Sequence, residues 1–210
     1  MNKEFGLLVF PVLVIALMLG GTASAQKVGD NSVYFVTYYS NALHSDAAPD
    51  QTVRIINDGD TGASLWASFY VFDDSEEMQE CCSCEVTPDG LTSESVNNNL
   101  TSNPLTGIIK TRGVIKVISS SVAAIGPASF PNITLTKFTN KPTPGLRVWS
   151  THIQRTTPTA GAYYVSESPA ADSNLASSEE TLLETLCLFI NLLDGVDQGV
   201  CSCTPEGADF

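Results

Sequence analysis

Three cysteines in four positions, Cys81-Cys82-Ser83-Cys84, and three more far downstream, Cys187, Cys201 and Cys203, are the residues of this chain with the most chemistry to offer. Such sulfurs could hold zinc, copper(I) or an iron–sulfur cluster, could cycle as a redox dithiol, or could be oxidised into structural bridges. Spacing separates these options. Structural zinc sites usually take ligand pairs two to four residues apart, whereas the runs here read CC, CxC and CxC. The C-x-x-C spacing of a redox centre exists only as Cys81 with Cys84, without a βαβ pattern beside it. Vicinal Cys81 and Cys82 could join only through a strained ring, and bridges from Cys82 to Cys84 or from Cys201 to Cys203 are cramped. The expectation is that each of the first three cysteines pairs with one of the last three, in a connectivity the sequence leaves open.

Other catalytic patterns are thin. Neither His44 nor His152 lies in H-E-x-x-H, and no serine lies in G-x-S-x-G. Carboxylates gather at Asp73, Asp74, Glu76, Glu77 and Glu80, a density that a glycoside hydrolase could use if two of them faced each other across a cleft. Asp58-Gly59-Asp60-Thr61-Gly62-Ala63 opens like a calcium loop but has Gly62 and Ala63 where an acid and a glycine belong, so it reads as a solvated turn. Trp66, Trp149, Tyr38, Tyr39, Tyr163 and Tyr164 all fall in strand-like runs. Adjacent tyrosines point to opposite faces, so one of each pair is a lead for a binding face. No catalytic, cofactor-binding or metal-ligating residue is assigned, and the six cysteines are assigned to disulfides.

The compartment supports that assignment. The N-terminus MNKEFGLLVFPVLVIALMLGGTASAQ has Lys3, an apolar run from Gly6 to Leu19 and an A-x-A site at Ala23-Ser24-Ala25, which reads as a signal peptide over 1–25 cleaved before Gln26. The apolar run is too short to span a bilayer, and no later segment is long enough, so no integral membrane segment is expected after cleavage. Removing Lys3 and Glu4 together leaves the formal charge of -13 unchanged. Such a chain repels polyanions, which argues against nucleic acid as a partner. Secreted or periplasmic residence follows, where disulfides persist.

The elements that must position these residues are mostly strands. Val33–Tyr39 is β-branched and aromatic throughout, Thr52–Ile56 and Leu65–Phe72 flank the turn cluster NDGDTG as an apparent hairpin, and Gly113–Ser119, Ile133–Phe138, Leu146–Ile153 and Ala162–Val165 follow, with Val200–Cys203 as a last short strand. DSEEMQ, from Asp74 to Gln79, reads as a helical turn, and the Asn-rich stretch from Val96 to Pro104 has no assignment. Ser177-Ser178-Glu179-Glu180 reads as a capping box that starts a helix of about 178–193, with Leu182, Leu183, Leu186, Ile190 and Leu193 at helical spacing and Gly195 to end it. The expected fold is therefore all-β: one domain over 26–210, an antiparallel two-sheet β-sandwich, immunoglobulin-like in general architecture, disulfide-locked and carrying one C-terminal helix.

The blocks VRIINDG, SFYVFD, QECCSCEVTPDGL, VNNNLTSNPLTG, GVIK, GLRVW and GVCSC resemble a group of uncharacterised secreted bacterial proteins that share them across most of the mature chain. The resemblance implies export and cysteine pairing and implies no activity. The functional expectation is an exported structural or binding protein of the cell envelope or extracellular space, without a cofactor, whose candidate partners are a second copy of itself or a surface glycan. Two alternatives stand beside it: a secreted carbohydrate hydrolase using Asp73, Asp74, Glu76 or Glu77, and a surface filament in which the strand near the N-terminus completes a neighbour's sheet.

Overall fold

The computed structural model describes residues 31–40, 49–124, 139–155, 162–193 and 198–204. The signal segment, His44, the strand expected at Ile133–Phe138 and the helix stop at Gly195 lie outside the described residues. The chain runs β1 (Tyr34–Ser40), β2 (Thr52–Asn57), β3 (Leu65–Asp73), β4 (Met78–Val86), β5 (Leu91–Ser95), a π-helical turn (Val96–Leu100), β6 (Arg112–Ser120), β7 (Leu146–Arg155), β8 (Tyr163–Pro169), β9 (Ala171–Asp172) and helix α1 (Ser177–Leu193). Two antiparallel sheets form, one in the order β4-β3-β6-β1-β9 and the other β5-β2-β7-β8. The expected disulfide-locked sandwich with one C-terminal helix is the arrangement observed.

Alternation along the strands explains the layers. Phe35 and Tyr39 of β1, Ala67, Phe69 and Val71 of β3 and Ile115 and Val117 of β6 meet Val53, Ile55, Leu146 and Val148 of the second sheet in one core. The opposite faces of the same strands, through Tyr34, Tyr70, Phe72, Met78 and Ile118, meet Leu183, Cys187 and Ile190 of α1. Those three helix residues follow the spacing that keeps one stripe toward the sheet. The five-stranded sheet is thus covered on both sides, which is why β3 is buried along nearly its whole length. Glu179, in the first turn of α1, fixes the helix to the sheet by accepting from Lys116 (2.6 Å) and from the Tyr34 hydroxyl (3.1 Å). The Ala176 carbonyl already accepts from Glu180 N–H, so the helix begins slightly earlier than the capping-box reading places it.

Several expectations are corrected. β2 and β3 do not form a hairpin: β2 pairs with β5 and β7, β3 with β4 and β6, and the segment Asp58 to Ala63 crosses from one sheet to the other. The segment expected as a helical turn, Asp74 to Gln79, is instead the β3–β4 connection (Asp74 to Glu77) and the first two residues of β4, the strand that carries the cysteine run. Leu91–Ser95 adds a strand that was not anticipated, and the Asn-rich stretch opens with a π turn capped by Ser95, whose hydroxyl accepts from Asn98 N–H. The last short strand expected at Val200–Cys203 is reduced to a single isolated bridge, Val200 with Cys81, parallel to β4.

One glycine is required by packing. A Cβ at Gly113 would lie 1.9 Å from the Phe72 carbonyl oxygen and 2.8 Å from the Tyr39 ring, where β6 passes between β1 and β3. Backbone oxygen cannot yield as a flexible side chain can. Gly113→Ala is therefore expected to destabilise by about 3 kcal/mol; thermal unfolding of the oxidised protein checks this, and an unchanged midpoint would contradict the packing described.

Candidate functional site

The cysteine run lies in β4, and strand alternation divides its sulfurs. Cys81 faces the helix layer, while Cys82 and Cys84 face the core between the sheets. Cys81 joins Cys187 of α1, and Cys82 and Cys84 join Cys201 and Cys203 of the tail, with Cα–Cα separations of 5.8, 5.2 and 5.4 Å. All are within the ordinary range for a bridge. The two tail bridges form rungs between parallel segments: the Cys81 N–H donates to Gly199 C=O (2.9 Å), and both rungs span the same 119 residues. The outcome is a clamp in which the edge of the five-stranded sheet is tied to the helix on one face and to the tail on the other. Among the described residues, one trio of metal-capable side chains has its ligand atoms within 4.8 Å of one another: Cys82, Cys84 and Cys203, all engaged in bridges.

Beside the clamp, where β1, β3 and β4 end together, lies a buried polar cluster. Asp73 closes β3 and organises the connection to β4: its Oδ1 accepts from the N–H groups of Ser75 (2.8 Å) and Glu77 (3.0 Å) and its Oδ2 from Gln79 Nε2 (3.2 Å), with Lys110 Nζ at 3.2 Å. Burial pushes the Asp73 carboxyl upward, but the N–H groups of Glu77 and Ser75 and the Lys110 ammonium together hold it below its ordinary value. Asp73→Ala is expected to cost about 3 kcal/mol, since it strands donors in the interior; denaturant unfolding against Lys110→Met, which leaves the turn N–H bonds intact and should cost less, separates the two contributions.

Gln79 is the extra residue of a bulge opposite Val71 and Phe72. The bulge aims its carbonyl at Leu105 N–H (3.0 Å) and its amide oxygen at the Thr106 hydroxyl (3.1 Å). Glu80 follows, fully buried, its Oε1 accepting from Asn103 N–H (2.8 Å) while its Oε2 has no hydrogen-bond partner. Burial pushes the Glu80 carboxyl up to about 8, against the opposing pull of the Asn103 N–H. The buried Tyr39 hydroxyl is also unpartnered. Its acidity is suppressed by burial first and then by the negative charge of Asp73, Glu80 and Asp74. The segment from Asn103 to Lys110 therefore closes this end of the sandwich through three bonded contacts to β4 and an ion pair to β3. It presents Ile108 and Ile109 outward, 62% and 44% exposed.

The remaining acids do not join this cluster. Asp74 pairs with Arg112 (2.6 Å), and Glu76, at φ 67°, sits exposed in the turn. Asp58, from the partial calcium pattern, accepts from Asp60 N–H (3.1 Å) and pairs with Arg147 (2.8 Å), as suits a turn crossing between sheets. His152 stacks on Tyr38, ring centroids 4.2 Å apart, and its Nε2 lies 3.1 Å from the Ser168 hydroxyl. Burial lowers its basicity, and its Nδ1 has no partner. Of the tyrosine pairs, Tyr38 and Tyr164 are exposed and Tyr39 is buried, while Trp66, Trp149 and Tyr163 are half-buried. Sequence reasoning missed Lys110, Gln79 and the loop from Asn103; the bulge that joins them to the acids leaves no local signature.

Fold and clamp define a mostly β, disulfide-locked protein with one helix against its larger sheet. No protein-family model matches the chain, and no curated protein is similar to it in sequence. A solved structure, described as "Crystal Structure of Thermotoga maritima 1070", is similar over 69% of this chain and 97% of its own at 10% identity, with a TM-score of 0.41, too low a likeness to carry an argument. No described helix is long and apolar enough to cross a membrane.

Proposed function

We propose that this chain is an exported structural or binding protein of the cell envelope or extracellular space, acting from residue 26 onward as one cross-linked domain. The observation that carries this reading is that all six cysteines are consumed in three bridges. Such bridges persist in the periplasm or outside the cell, whereas cytosolic thiols are kept reduced. The leader-like residues 1–25 support the same placement. A binding role is supported over acid–base catalysis by the work the acids do: Asp73 holds a turn, Asp74 an arginine and Glu80 a loop amide. Fractionation of a bacterium expressing the full chain tests this. The protein is expected in the periplasm or medium, beginning at Gln26, with no thiol reactive until reductant is added. A cytosolic chain beginning at Met1 with reactive thiols would refute it.

A further inference from the structure

The sheet edges are not treated alike. The β4 edge carries the tail at Val200, and the β1 edge is covered by β9 at Phe35 and Val36. Beyond β9 the Gln51 side chain substitutes for a strand, its amide donating to Tyr38 C=O (2.8 Å) and accepting from Ser40 N–H (3.1 Å). β5 is short, and the tail residue Thr204 bonds to its Glu94 (2.8 Å). β8 differs: seven residues long, it has no strand on its outer edge among the described residues. Its register against β7 and the bond from Ala170 N–H to Val148 C=O (2.9 Å) set the hydrogen-bonding phase. Tyr164, Ser166 and Ser168 bond to β7, so the main-chain groups of Tyr163, Val165 and Glu167 point outward. Of the devices that normally blunt an edge, this strand has no lysine; its one charge, Glu167, is paired with Arg54, its proline, Pro169, stands at its very end, and Tyr164 and Val165 are 70% and 53% exposed.

We propose that β8 is a self-association edge, pairing antiparallel with β8 of a second copy about a two-fold axis through Val165. That register uses all three outward residues reciprocally, Tyr163 with Glu167 of the second copy and Val165 with its own counterpart, for about six main-chain bonds. It sets no like charges opposite each other: Glu167 faces a tyrosine, and its charge is met within the chain by Arg54 at 2.5 Å. Shifting the axis to Ser166 would place Pro169, which has no N–H, opposite Tyr163 at both ends, so that the longer pairing gains no bond over the one centred on Val165. The two four-stranded sheets then become one continuous sheet, with the helices on the outer layers.

The test uses the oxidised full chain. Sedimentation over a wide concentration range is expected to show a monomer–dimer equilibrium, and Val165→Pro is expected to weaken dimerisation at least tenfold. Because that variant could misfold, cysteine substitution supplies an independent reading. With the three native bridges verified by mass, Val165→Cys should cross-link to itself readily, since the axis brings the two copies of that position to a bridgeable separation, whereas Tyr163→Cys should not. A monomer at every concentration overturns the proposal. Equal cross-linking at positions 163 and 165 overturns it as well.

Discussion

A chain ending at Gln198 is expected to lose most of its stability. It lacks Cys201 and Cys203, and so loses both rungs that each close a span of 119 residues, together with the Thr204 bonds to the buried Glu94 carboxylate. The truncated chain keeps the Cys81–Cys187 bridge, which already closes the long span, so in the chain-entropy account the first tail rung closes about 15 further residues and contributes about 3 kcal/mol, and the second rung adds less. Leaving Glu94 buried with the Thr92 hydroxyl as its remaining donor adds a desolvation penalty. The total approaches the 5 to 15 kcal/mol that stabilises an ordinary domain. Urea unfolding should place the truncated chain at or near the unfolded baseline in water, while Cys84→Ala with Cys203→Ala, which keeps the first rung, should fold and lose about 2 kcal/mol. A truncated chain as stable as the full one would mean that the tail is an ornament and not a clamp.

The second large effect is a pH dependence centred on Glu80. Its folded carboxyl titrates at about 8 against an ordinary 4.5, so between those values the folded protein holds a proton that the unfolded chain has released. Stability contributed by that proton is fully present below pH 4.5, is lost as pH rises through the window, and has gone by about pH 8, an effect on the order of 4 kcal/mol. Glu94, also raised by burial, adds in the same direction. Asp73, held below its ordinary value of 3.8, acts oppositely, and its contribution fades only as pH falls below that value. The thermal midpoint is therefore expected to peak near pH 4 to 5 and to decline toward pH 8. Glu80→Gln keeps the shape and the acceptor for Asn103 N–H but cannot ionise, so it should flatten the decline and exceed the parent in stability at pH 8. Two superimposable pH profiles for parent and variant would remove Glu80 from the account.

Much of the sandwich was legible in the sequence because its strands are chemically distinctive. β1, β3, β6 and β7 are β-branched and aromatic, and of the helix stripe read from Leu182, Leu183, Leu186, Ile190 and Leu193, Leu183 and Ile190 are buried against the sheet while Leu182 is exposed. β4 was not legible, since a strand covered by the core on one face, by the helix on the other and by the tail along its edge has no alternation to display. β5, LTSES, is as polar as a loop and is a strand only because β2 offers it a partner. The false β2–β3 hairpin has a similar origin: the turn signals in NDGDTG mark a change of direction, and nothing local distinguishes a return to the same sheet from a step across to the other. The general pairing rule for the cysteines followed from strain. The particular connectivity was not legible: only with β4 known as a strand do Cys82 and Cys84 share a face and match the two-residue spacing of Cys201 and Cys203. The polar cluster at Asp73, Glu80 and Tyr39 was visible only as a run of acids; the bulge at Gln79 and the loop from Asn103 that give those acids their partners arise from tertiary contacts.

Non-reduced peptide mapping tests the clamp most directly. Digestion of native protein purified without reductant should yield linked peptides joining Cys81 to Cys187, Cys82 to Cys201 and Cys84 to Cys203, with every link released by reduction. Free thiols in that material, or sulfurs retaining a metal ion in place of those links, would contradict it.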